Sequence, residues 1–236
     1  MSKINFNLGD FGLKFGYLYE IIATTYSISE DGKEIKPNAS CMGIRVIEDN
    51  KIQISPFSQT STYRNLKKSS TIAINFVNDV YLYALAALKE KKSSIGLTEF
   101  PPEYYEFKYL DKLAMDVPYI KKAWGILVGE VSQETQKIKH NDFGEMIIPI
   151  FKLNIIFCEK LRDSFKIFNR AENLALEAII LATRLKIAKN KNDNQLFFKI
   201  HEKIVDYMTN IERFGKNNDA IKAINLVSKY VNDLMN

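Results

Sequence analysis

Four aliphatic hydroxyls and one guanidinium crowd into a single short stretch: Ser58, Thr60, Ser61, Thr62 and Arg64. They lie between a strand-like run, Lys51 to Phe57, and a short helical run beginning near Thr62. The free backbone N–H groups of a helix start, neighbouring hydroxyls and an Arg fork together suit a phosphate. The same residues have a simpler use, because Ser61 or Thr60 could serve only as the N-cap of that helix. Both readings stand on the sequence. A second element, Lys36 to Gly43, opens a strand with small residues at Ala39, Ser40 and Gly43. Small side chains allow a planar ring to approach the backbone, whose N–H and C=O groups can bond its polar edge. The alternative is an ordinary strand start, with Gly43 marking a bulge.

Little else in the chain could do chemistry unaided. There are two histidines, His140 in a polar turn and His201 on an amphipathic helix, and both read as surface residues. No HExxH, CxxC, GxSxG, Walker or GxGxxG pattern occurs, which removes the common zinc, hydrolase, P-loop and Rossmann readings. Cys41 and Cys158 lie 117 positions apart, without metal-ligand spacing or a disulfide framework, and read as buried thiols. No metal site is expected, and no catalytic residue can be assigned. An anion cup without catalytic side chains points to a phosphate-bearing cofactor that brings its own chemistry. Flavin mononucleotide (FMN) fits that description.

These segments must be positioned by a sizeable core, and 236 residues with 46% hydrophobic content can supply one. No window of the sequence resembles a membrane span, and Met1 to Asp10 does not resemble a signal peptide, so a cytoplasmic protein is expected. The net charge of +5 is concentrated after Glu159, where fourteen Lys and Arg face ten Asp and Glu. There the lysines alternate with acids at helical spacing, as on a solvated helix face, which disfavours nucleic-acid binding.

The first two thirds read as strands. Tyr17 to Tyr26 and Ala39 to Ile47 form a hairpin through the turn at Ser29 to Lys33; Lys51 to Pro56 and Thr71 to Val77 flank the cup and its helix, Thr62 to Lys68. Val80 to Lys89 reads as a short helix, and Lys91 to Pro118, with three prolines, as an irregular excursion. Ala123 to Gln133 and Glu145 to Cys158 are long strands joined through a turn around His140-Asn141-Asp142. After about Arg162 the period becomes helical: Ala171 to Ala188, then faces through Phe197, Ile200, Ile204 and Ile211, and through Ile221, Ile224, Val227 and Val231. Strands without intervening crossover helices imply an antiparallel barrel. The expected fold is α+β: a mostly antiparallel barrel over residues 1–160 and a three-helix domain over 161–236.

The order Tyr19 to Thr25, Pro37 to Gly43, Ser58 to Leu66 and Asn75-Phe76-Val77-Asn78-Asp79 resembles the DUF447 family. The tail motif Phe168 to Glu172, with Glu177-Ala178 and Ala182-Thr183-Arg184, resembles that family's helical part, so the likeness spans nearly the whole chain. It implies an FMN-binding split β-barrel, as in flavin reductases and pyridoxamine-phosphate oxidases, forming a homodimer with FMN at the subunit interface. By position, Thr60, Thr62, Arg64 and Asn65 would hold the phosphate and ribityl end, supported by Ser58 and Ser61. Asn38, Ala39, Ser40, Cys41, Met42 and Gly43 would line the ring, with Thr25 reaching it from the first strand. One departure is Cys41 where the family usually has Pro, which adds a backbone N–H beside the ring. The implied function is FMN binding, with oxidoreductase turnover on an unknown small molecule, or alternatively FMN storage without turnover. Trp124 and the tail motifs read as packing.

Overall fold

The computed structural model describes residues 8–28, 35–89, 97–141, 144–164, 169–214 and 218–235. The chain divides into two compact units, Met1–Val77 with Pro102–Ser164, and Asn78–Pro101 with Phe165–Asn236.

The first unit is built on a closed antiparallel barrel of six strands. They are β1 (Leu18–Ile28), β2 (Ile35–Glu48), β3 (Lys51–Ile54), β4 (Thr71–Phe76), β7 (Gly125–Asn141) and β8 (Gly144–Lys160). The spatial order β1-β2-β3-β8-β7-β4 closes the sheet into a barrel, while the β2–β3 pairing starts only at Ile44, so the Asn38 to Gly43 part of β2 is strand-paired on the β1 side. Period-two alternation sends Ile21, Ala23, Ile44, Val46, Ile52, Ile54, Ile72, Ile74, Leu127 and Leu153 into one interior cluster. Branched side chains suit such a pleated interior. Beyond the barrel, β7 and β8 continue as a ribbon paired from Gln133↔Lys152 to Asn141↔Gly144. His140 and Asn141 therefore belong to the strand, and Asp142 of the expected turn lies outside the described residues, as does the expected turn at 29–33.

The segment expected to be irregular contains a hairpin. β5 (Tyr105–Leu110) pairs with β6 (Met115–Ile120) in a separate two-stranded sheet. Pro118 discouraged a strand assignment, but a two-stranded sheet has only edge strands, where a missing N–H is tolerated. The hairpin rests on the outside of the barrel, Leu110 and Val117 packing with Ala73, Val128 and Ile156. A buried polar network joins the two sheets. Asn75 donates from Nδ2 to Ile22 O at 2.9 Å and Thr24 Oγ1 at 3.1 Å, and its Oδ1 accepts Ile120 N–H at 2.7 Å. Thr24 Oγ1 donates onward to Pro118 O at 2.5 Å.

A nine-residue helix, α1 (Ser61–Ser69), sits between β3 and β4. Thr62, Asn65 and Leu66 recur at i, i+3 and i+4 and are buried, so one face of α1 packs on the barrel. Leu66 joins the interior cluster, and the Tyr63 ring meets Phe151 at 5.7 Å between centroids.

The second unit is helical: α2 (Val80–Ala87), α3 (Arg170–Asn190), α4 (Asn194–Phe214) and α5 (Asn218–Met235). α2 is buried along nearly its whole length and packs on α3 and α5, so it groups with the C-terminal helices although the barrel segment Pro102–Ser164 separates it from them in sequence. Asn169, part of the tail motif, caps α3 by accepting Glu172 N–H at 3.2 Å. Among the described residues no helix is long and apolar enough to cross a membrane.

Candidate functional site

Thr60 performs the capping that the sequence allowed. Its backbone is extended, its hydroxyl accepts Tyr63 N–H at 3.3 Å and donates to Phe57 O at 2.7 Å, and its N–H bonds Phe57 O at 3.0 Å. A cap of this kind satisfies part of the first turn, leaving the N–H groups of Ser61 and Thr62 as donors the helix itself cannot use. The exposed Arg64 side chain folds back over that turn. Its Nη2 donates to Ser61 Oγ at 3.3 Å and its Nη1 to Gln59 O at 3.4 Å. Two N–H groups, one hydroxyl and one guanidinium thus converge at the positive end of the helix dipole. Ser58 lies exposed in the loop just before it.

The structure brings the three predicted segments together. Thr62 Oγ1 lies 2.6 Å from Ser40 Oγ, joining α1 to β2. Asn65 Nδ2 donates to Thr25 Oγ1 at 2.9 Å and Ser27 Oγ at 3.0 Å, joining α1 to β1. Thr25 in turn stands opposite Asn38 in the β1–β2 register. Ser27 was missed by sequence reasoning, although strand alternation places it two residues on from Thr25 on the same face. Also missed was Glu134 of β7, which accepts Lys67 Nζ at 2.6 Å and the Tyr63 hydroxyl at 3.3 Å and so fastens the far side of α1. That hydrogen bond raises the pKa of the Lys67 ammonium.

The segment 38–43 is divided by the pleat. Asn38, Ser40 and Met42 share the face of Thr25, Ala23 and Ile21, and Met42 packs against the barrel interior. Ala39, Cys41 and Gly43 turn to the opposite face with Thr24, Ile22 and Glu20. At Gly43 an added Cβ would stand 2.8 Å from Leu18 Cδ1, so the space left by the missing side chain is filled by a movable leucine end. Cys41 and Cys158 are both partly exposed rather than buried; burial is still sufficient to push the Cys158 thiol pKa up. Trp124 stacks on Phe76 with centroids 5.0 Å apart and on Phe11 at 6.1 Å, a packing role.

The residues present suit a phosphate-bearing ligand on their own chemistry: the open donors are all N–H, O–H and guanidinium groups, gathered where a helix dipole favours an anion. The fold and this turn together define a closed β-barrel protein with an anion-suited helix start at its surface. The chain belongs to the family described as "Protein of unknown function (DUF447)", whose N-terminal domain matches residues 19–159.

Among solved structures, an FMN-bound DUF447 protein from Methanosarcina mazei superposes with a TM-score of 0.69 at 23% identity, covering 95% of this chain and 100% of its own. Flavoredoxin from Methanosarcina acetivorans gives 0.46 at 14%, covering 71% and 79%. The styrene monooxygenase flavin reductase of Pseudomonas putida S12 gives 0.41 at 14%, covering 61% and 83%. No curated protein matches the chain by sequence.

Proposed function

We propose that this chain is an FMN-binding protein of the cytoplasm, a homodimer with FMN at the subunit interface, acting as an oxidoreductase on a small molecule. The observation that carries the reading is the junction of α1 with β2. The Ser40–Thr62 contact at 2.6 Å sets an anion-suited turn beside the strand segment Asn38 to Gly43. Membership of the DUF447 family, and the FMN bound by the Methanosarcina mazei member, support the choice of ligand.

In this reading the N–H groups of Ser61 and Thr62, the Ser61 hydroxyl and the Arg64 guanidinium hold the phosphate, with Ser58 and Thr60 completing the loop. Arg64 presents a planar fork that can meet two phosphate oxygens at once. Thr25 and Asn65 stand behind that turn. Asn38 and Ser40 bound the ligand on one side of β2, and Ala39, Cys41 and Gly43 supply backbone on the other. When bound, FMN supplies hydride and single-electron transfer, chemistry that no side chain offers. The chain's residues hold and orient it.

A storage reading is favoured by the side chains themselves. Thr25, Asn38, Ser40, Thr62 and Asn65 carry only hydroxyls and amides, which are neither acids nor bases near neutral pH. Anaerobic mixing of the FMN-loaded protein with NADH or NADPH separates the two: bleaching of the flavin band supports turnover, and inertness towards donors and acceptors supports storage. Titration of the apo-protein with FMN tests the shared premise, since unquenched flavin fluorescence at micromolar protein would remove it.

A further inference from the structure

The residues matched to the phosphate by position divide into two sets. Ser61 and Arg64 face outward, whereas Thr62 and Asn65, one helical turn apart on the inner face, are only 2% and 5% exposed. An Asn side chain has two amide hydrogens, and both are engaged here, one by Thr25 Oγ1 and one by Ser27 Oγ. No donor of Asn65 remains for a ligand. What the amide does instead is tie α1 to β1, while the Thr62–Ser40 pair ties the same turn to β2. In a buried setting such links resist sliding, because breaking one leaves polar groups without partners.

We propose that Asn65 is a positioning residue. Through Thr25 and Ser27 it fixes α1 on β1, and so sets the separation between the anion-binding turn and the Asn38–Ser40 end of β2. It does not touch the phosphate. The role rests on the FMN reading for its ligand, but the latch itself rests on geometry alone. Loosening it displaces the turn relative to β2 while leaving the turn's own donors intact. A ligand that spans both places therefore loses affinity, and one that occupies the turn alone does not.

The test uses the full chain with FMN and, as competitor, inorganic phosphate. The variants are N65A, T25V with S27A, all three together, and the conservative T25S. Hydrogen exchange of the α1 amides is followed against those of β4. N65A and the T25V/S27A pair should each raise the FMN Kd about tenfold, and the triple variant no further, because all remove one link. Phosphate competition should stay within about twofold, T25S should retain wild-type affinity, and α1 exchange should accelerate while β4 stays protected. The proposal is overturned if the losses multiply, if phosphate and FMN weaken in step, or if α1 exchange is unchanged. Should N65A fail to fold, the contrast of the T25V/S27A pair with T25S decides in the same way. If the wild-type chain does not bind FMN, the cofactor reading falls, and the exchange comparison alone decides the latch.

Discussion

At the scale of single residues, polar side chains in this barrel fall into those that hold the fold and those that remain open to a ligand. Asn75 is wholly buried and makes hydrogen bonds to β1 and β6. N75A would leave the Ile120 N–H without its acceptor and remove the amide's bonds to Ile22 O and Thr24 Oγ1, and should lower the unfolding free energy by about 2 to 3 kcal/mol in urea titrations. An unchanged midpoint would show that the network contributes little. Arg64 is the opposite case, exposed and bonded within its own turn. R64A should leave stability within about 0.5 kcal/mol and weaken FMN binding about tenfold or more, while riboflavin, which lacks the phosphate, binds both proteins alike. Equal losses for the two flavins would place the phosphate elsewhere. Sequence exposed the composition of this site but not its division of labour. Thr60, Thr62 and Asn65 look interchangeable in a hydroxyl- and amide-rich string, and only packing shows one capping a helix, one meeting Ser40 and one gripping Thr25.

At the scale of elements, the strands and α1 were legible because period-two burial and a helix start with a capping hydroxyl leave plain signals. The β5–β6 hairpin was not. Its inward residues, such as Leu110 and Val117, face the outside of another sheet rather than a closed interior, so alternation is weak, and Pro118 speaks against a strand. Across this hairpin Tyr119 donates to Glu106 Oε2 at 2.6 Å. Burial, then that hydrogen bond and the neighbouring carboxylate charge, push the Tyr119 pKa up from 10.0 to about 12. A phenol whose pKa rises on folding stabilises the fold fully below its unfolded pKa, and the contribution disappears as pH climbs through the folded value. The stability difference between wild type and Y119F should thus be constant below about pH 10 and shrink between about pH 10 and 12. A difference that persists undiminished above pH 12 would contradict the assignment.

At the scale of the whole molecule, the boundary expected near residue 160 runs the chain of α2 into the barrel domain, while its contacts group it with α3 and α5. Sequence order conceals this, because nothing in Val80–Ala87 names its partners. A fragment ending at Lys160 would carry Leu82, Leu85 and Leu88, all buried in the full chain, without the helices that pack on α2. Exposed apolar surface of that kind promotes association. Such a fragment should bind an apolar dye and elute as large species in gel filtration, whereas a stable, well-dispersed fragment would show that α2 needs neither α3 nor α5.

The central claim concerns the ligand of the turn at Ser61, Thr62 and Arg64, and direct titration of the apo-protein with FMN addresses it most closely. The expected result is saturable quenching of flavin fluorescence at one FMN per chain, weakened by R64A and by inorganic phosphate. Absence of saturable binding in the wild-type chain, or binding indifferent to both Arg64 and phosphate, would contradict it.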